Sequence, residues 1–160
     1  MKNKLLSLLN QNARYTAEEL AVMLGTDITT VGSLLEELQN DKVICGYKAL
    51  IDWDKVDNEH VTAIIELKVT PKRDFGFDEL AEKVKSFDNV ETVYLMSGGF
   101  DLCVIVTGQS FQKVAMFVAK QLSTLDGVVS TGTHFVLKRY KELGFDMTGG
   151  IKDDRETYSL

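Results

Sequence analysis

The chain has 160 residues, with 18 Lys+Arg, 24 Asp+Glu, two Cys and one Pro, which suits one ordinary domain or two small ones. At 44% hydrophobic and 26% charged it sits near the globular average, which excludes disordered and fibrous classes. No apolar run nears the ~20 residues that cross a bilayer, and a net charge of −6 argues against broad affinity for nucleic acid or anionic membrane.

Met1-Lys2-Asn3-Lys4 leads into a short Leu-rich stretch without a small-residue cleavage site, so the expectation is a cytoplasmic protein without a secretory signal or membrane contact. Leu5, Leu6, Leu8 and Leu9 give a first helix, from Lys2 to about Gln11, an apolar face. Thr16-Ala17-Glu18-Glu19 has the form of a capping box, in which the hydroxyl takes an orphan N–H and Glu19 reaches back. The helix it opens carries Leu20, Ala21, Met23 and Leu24 and stops at Gly25. A third helix follows Asp27, with Ile28, Val31, Leu34, Leu35 and Leu38 on one face. Val43 to Ile51 is β-prone, broken by Gly46, and reads as a short ribbon or wing. We therefore expect a winged helix-turn-helix over residues 1–52 and a polar linker over 53–59.

Beyond the linker the period changes to two. Val61 to Thr70 reads as a strand that Pro71 ends. Phe77, Leu80, Ala81, Val84 and Phe87 mark a helix, Val90–Met96 a strand, Ser97-Gly98-Gly99 a turn and Leu102–Thr107 another strand. Phe111, Val114, Ala115, Val118 and Leu122 mark a second helix, and Val128–Lys138 a last strand. The order βαββαβ is the ferredoxin-like split βαβ pattern, an α+β fold with an antiparallel sheet over residues 60–140. Both helices fall on one sheet face, so the other face asks for cover by a second subunit. Residues 141–160 form a tail to which no structure is assigned.

Ala21, Gly25 and Val31 are spaced as a helix-turn-helix requires, although a plain three-helix bundle has the same elements. If the unit reads DNA, the third helix enters the major groove with Thr29, Thr30, Gly32, Ser33, Glu36 and Glu37 outward. Thr29, Thr30, Ser33 and Glu37, with Lys48 from the ribbon, are the candidate DNA contacts. Residues 1–55 hold six basic and eight acidic side chains, net −2, which opposes the phosphate attraction that duplex binding leans on.

Ser97-Gly98-Gly99-Phe100-Asp101 offers bare backbone N–H groups for a carboxylate beside an acid for an ammonium, the two ends of an amino acid. The alternative is a hairpin in which Asp101 satisfies turn amides. Thr131 and Thr133 in the last strand supply hydroxyls for a ligand or for cross-strand pairing. His60 and His134 sit in no metal spacing, and Cys45 and Cys103 read as buried, inert thiols. Glu36, Glu37, Glu79 and Glu82 read as solvated, the methionines as core filler, and Trp53 as a residue packing between domains or across a dimer. No nucleotide fingerprint or catalytic constellation is present, so no catalytic residue, metal or cofactor is expected.

The segment Val43-Ile44-Cys45-Gly46-Tyr47-Lys48-Ala49-Leu50-Ile51-Asp52 and the turn Gly98-Gly99-Phe100-Asp101, set in this order of elements, resemble the Lrp/AsnC (feast/famine) transcriptional regulators over about residues 2–140. The resemblance implies a DNA-binding homodimer paired through its C-terminal sheets, often four dimers to an octamer, with an amino acid or related metabolite bound between dimers. The effector residues it implies are Gly98, Gly99, Phe100 and Asp101, with Thr131 and Thr133. Many members carry Arg or Lys where this chain has Glu36 and Glu37. The rivals are a sensor whose acidic N-terminal domain contacts a protein instead of DNA, and an enzyme on a ferredoxin-like scaffold.

Overall fold

The computed structural model describes residues 1–56, 59–70 and 76–149; the expected stop at Pro71 and parts of the expected linker and tail lie outside them. The chain divides into two compact units, Met1–Ile51 and the residues from Asp52 onward.

The first unit holds α1 (Lys2–Gln11), α2 (Ala17–Leu24) and α3 (Ile28–Asn40). Helices this short do not persist alone in water; buried Leu5, Leu9, Leu20, Ala21, Val31 and Leu38 join them. The capping box closes reciprocally: Glu19 N–H donates to Thr16 Oγ1 (3.3 Å) and Thr16 N–H to Glu19 Oε2 (2.8 Å). Gly25 takes φ +67°, and the Gly25 and Thr26 N–H groups close onto Val22 and Ala21 carbonyls. A left-handed glycine thus ends α2 and opens the turn.

The wing does not form. Residues 45–52 take no regular secondary structure and pair with no strand among the described residues, and the Val43 and Ile44 N–H groups return to the Leu38 carbonyl at the end of α3 (2.9 and 3.0 Å). Arms this short on either side of Gly46 cannot hold an isolated hairpin in water. Cys45, expected to be buried there, is exposed.

The second unit contains β1 (Val61–Val69), α4 (Asp78–Lys85), β2 (Val90–Leu95), β3 (Leu102–Gly108), α5 (Phe111–Phe117, continued by a π-turn Val118–Leu122) and β4 (Val128–Phe135). The sheet order β2-β3-β1-β4, antiparallel throughout, is the expected ferredoxin-like one. Val61, Ala63, Ile65, Leu67 and Val69 alternate inward from β1, and Leu102, Val104 and Val106 from β3. They pack on Val84 of α4 and on Val114, Phe117 and Leu122. Gly108 lies so close under α5 that a Cβ there would stand 2.8 Å from Val114 Cγ2.

The alternate residues point away from the helices: Thr62, Ile64, Glu66 and Lys68 on β1, with Cys103 and Ile105 on β3. That face is mixed in character, and Ile64 is 38% exposed.

Three further expectations are corrected. The last strand ends at Phe135 rather than Lys138, because β1, its partner, runs out: Ala63 faces Phe135, and Val136 N–H makes a closing bond to the Thr62 carbonyl. The tail is not featureless, since β5 (Lys141–Glu142) and β6 (Phe145–Asp146) form a small hairpin around Leu143 and Gly144, at φ +46° and +92°. Finally, Met1, Met23, Met96 and Met116 are exposed rather than core filler.

Candidate functional site

On α3 most residues face as expected from helical spacing, except that Ile28, expected on the apolar face, is exposed. Thr29, Gly32, Ser33, Glu36 and Glu37 are exposed, while Val31 and Leu38 face the core. Two candidates have other engagements. Thr30 completes the α3 cap: its N–H donates to Asp27 Oδ1 (2.8 Å) and its hydroxyl to Asp27 Oδ2 (2.6 Å). Those bonds, the hydroxyl first and the backbone N–H second, lower the Asp27 pKa below its ordinary 3.8. Glu37 Oε1 meets Lys2 Nζ of α1 at 2.5 Å, so the acid is neutralised locally. Lys48 is exposed in the irregular segment after α3. This leaves Thr29 and Ser33 as neutral hydrogen-bonding groups on the outer face, with Glu36 beside them.

The β2–β3 turn is pinned at its base. Met96 N–H donates to the Asp101 carbonyl (2.8 Å), and Asp101 N–H to the Leu67 carbonyl (2.9 Å). Asp101 Oδ2 accepts the Val69 N–H at the end of β1 (2.8 Å). Asp101 therefore ties the turn to β1, through a strand amide rather than the turn amides of the hairpin alternative, and its carboxylate has lone pairs for further donors. Gly98 and Gly99 are exposed; neither has a positive φ, and a Cβ on either would meet nothing within 4 Å. The left-handed freedom that glycine allows is not used at either position.

Thr131 and Thr133 lie opposite Leu67 and Ile65 across the β1–β4 ladder, on the helix side of the sheet, half-buried. Thr131 and Asp101 thus flank the same end of β1, and Thr133 lies two residues farther along. Beside that end is a small cavity of about 50 Å³, lined in part by Val69, Thr70, Phe77, Lys83 and Asp126. Sequence reasoning missed it, because these residues come from separate segments. It has room for a water or two but not for a whole amino acid.

Elsewhere the sheet pairs His134 Nε2 with Glu66 Oε1 at 3.3 Å. A Cβ on Gly132 would come within 3.6 Å of both side chains. Cys103 is half-buried, and burial first, the Glu66 charge second, push its thiol pKa upward. Trp53 stacks on His60, centroids 5.1 Å apart. Among the described residues no group of three or more His, Cys, Asp or Glu could hold a metal ion, and no helix is long and apolar enough to cross a membrane.

A head of three helices with a glycine turn, followed by a sensor-type sheet, defines a class: regulators that read DNA and carry a ligand-binding domain. The comparisons make the class specific. The Lrp/AsnC ligand-binding domain matches residues 62–144. An uncharacterized HTH-type transcriptional regulator of Bacillus subtilis is 49% identical over 155 residues, 96% of this chain and 93% of that protein. Among solved structures, E. coli AsnC superposes with TM-score 0.68 at 22% identity, covering 88% of this chain and 93% of that one. A transcriptional regulator of Neisseria meningitidis solved with L-Met gives 0.71 at 23%, covering 88% and 90%. The chain belongs to the Lrp/AsnC family of HTH-type transcriptional regulators.

Proposed function

We propose that this regulator works as a homodimer, assembling further to an octamer, that places α3 in the DNA major groove and binds an amino acid at the Gly98–Asp101 end of its sheet. Acting in the cytoplasm, it presents Thr29, Ser33 and Lys48 to DNA, with Thr30 and Asp27 holding the start of α3 in shape. The observation that carries the effector half is the glycine turn. Among the described residues nothing asks for glycine at 98 or 99, yet an incoming carboxylate gains from bare, accessible N–H groups. The nearby cavity is too small for the whole ligand, which favours a site completed by a second chain. Asp101, Phe100, Thr131 and Thr133 then line this chain's share. The sheet face turned away from the helices, carrying Ile64 and Ile105, is the surface for dimerisation.

The mechanism is linkage. An effector that fits one assembly better than another shifts the equilibrium between them only by its differential affinity. Because half-sites must match a helical repeat of ~34 Å, a change of assembly respaces the two reading helices. The deciding experiment is a thermal-shift screen of the twenty amino acids with light scattering in parallel, followed by a low-salt gel shift on DNA upstream of the gene. One or a few amino acids should raise the melting temperature and change the particle size. A flat screen with a monomeric particle would overturn the effector half. The absence of any shifted DNA at high protein concentration would favour the protein-contacting alternative.

A further inference from the structure

The residues around Arg139 join three segments that are remote in sequence. Its guanidinium, only 20% exposed, donates through Nη2 to Thr62 Oγ1 on β1. Nη1 lies 4.0 Å from Asp54 Oδ1 in the turn Trp53–Lys55, and Nε lies 3.8 Å from Glu142 Oε2 in the tail hairpin. Beside it, Lys55 Nζ holds Asp52 Oδ2 at 2.8 Å. Lys55 keeps its proton above the ordinary lysine range, through Asp52 first and through the charge of Asp146 in the hairpin as well.

No residue of the Trp53–Lys55 turn is buried, and Leu143 and Phe145 of the hairpin stand exposed. Apart from the Trp53 ring on His60, apolar contact therefore does little to hold turn and hairpin; charge does the rest. Half-exposed ion pairs are worth ~1 kcal/mol or less and weaken with salt. A junction of this kind sits close to balance between made and broken.

We propose that Arg139 is a positioning residue: it latches the interdomain turn to the sheet edge and tail hairpin, fixing where the chain leaves the sensor unit. The inference rests on the proposed function and deepens it, since the chain that leaves this latch is the covalent connection between sensor unit and head. Its test needs neither DNA nor effector, so the two readings fail separately.

Trp53 is the only tryptophan and lies next to Asp54, so its acrylamide quenching in the full-length protein reports the latch. In the wild type, quenching should rise between low salt and roughly 1 M NaCl, where the screening length falls to about 3 Å. Arg139→Met should start at the high-salt value and stay flat, with the broken population up about fivefold, the most such a pair supplies. Arg139→Lys, which keeps the charge but not the fork, should fall between. Asp54→Asn, a change at a side chain 56% exposed, should reproduce much of the effect without touching the fold, which covers the case in which Arg139→Met unfolds. Quenching that ignores salt in the wild type, or is unchanged in Asp54→Asn and in a folded Arg139→Met, overturns the latch.

Discussion

Two turns in this molecule carry glycine for opposite reasons. Gly25, between α2 and α3, takes φ +67°, a backbone conformation that side chains strain to reach, so the head's own geometry demands it. Gly98 and Gly99, between β2 and β3, have no positive φ and empty space around them. The first glycine is explained by the chain that contains it. Among the described residues nothing explains the second pair, and the proposed effector site would. Glycine in a turn thus serves the fold in one unit, while in the other the proposed effector site is what gives it a use, and local conformation separates the two cases.

Substitution by alanine sharpens the contrast, and a third glycine sets its upper end. Gly108 is required by packing: its Cβ would stand 2.8 Å from Val114 Cγ2, a branched side chain held in the core. Gly108→Ala should cost about 1–3 kcal/mol, the usual range for overpacking. The measurement is chemical denaturation followed by a probe of the sheet unit. A loss below ~0.5 kcal/mol, the ordinary scatter of a surface change, would show that α5 lifts away freely.

Gly25→Ala comes next. Alanine must adopt the left-handed region, at about 1 kcal/mol, and the loss should appear in the unfolding of the helical head alone. An equal loss in both units would mean that they do not unfold independently.

The head's glycine was legible in the sequence because its reasons are local. Thr16 and Glu19 three residues apart, Gly25 after Leu24 and Asp27 before Ile28 announce caps whose bonds the structure contains. The sheet was legible for the same reason, since the inward row of β1 alternates without a break. What escaped was non-local. Asp101 binding Val69, His134 meeting Glu66 and Arg139 reaching Asp54 each join residues that no spacing rule connects. The tail hairpin escaped because Leu143-Gly144 lacks the Asn-Gly or Asp-Gly signature of a two-residue turn with both φ positive. The wing is not there because β-propensity describes a residue's fit to a pleated surface, and residues 45–52 pair with no strand among the described residues.

Acid provides a smaller perturbation of the same α2–α3 turn. Asp27 has its pKa lowered from 3.8 by the Thr30 hydroxyl and then the Thr30 N–H. Its folded pKa lies below the unfolded one, so its contribution is complete above the unfolded value and is lost as pH falls through the folded value. The head's stability should therefore decline below about pH 4, and Asp27→Asn should flatten that limb while leaving neutral-pH helicity nearly intact. An unchanged acid limb in the variant would assign the decline to other carboxylates.

The smallest expected effect on the protein alone is the most discriminating. At Gly98 and Gly99 a side chain meets no neighbour and no left-handed backbone, so Gly98→Ala and Gly99→Ala should leave the ligand-free protein unchanged or raise its stability by about 0.4–1 kcal/mol, through a less flexible unfolded chain. The same variants should lose the melting-temperature rise that an amino acid gives the wild type, because a methyl group over the turn keeps a carboxylate from the N–H groups. Asp101→Ala cannot make this distinction, since it also strips the Val69 N–H of its acceptor and weakens the fold directly. If the alanine variants keep the full ligand-induced rise, the effector sits elsewhere. If they destabilise the free protein as Gly25→Ala does, the two turns are alike after all.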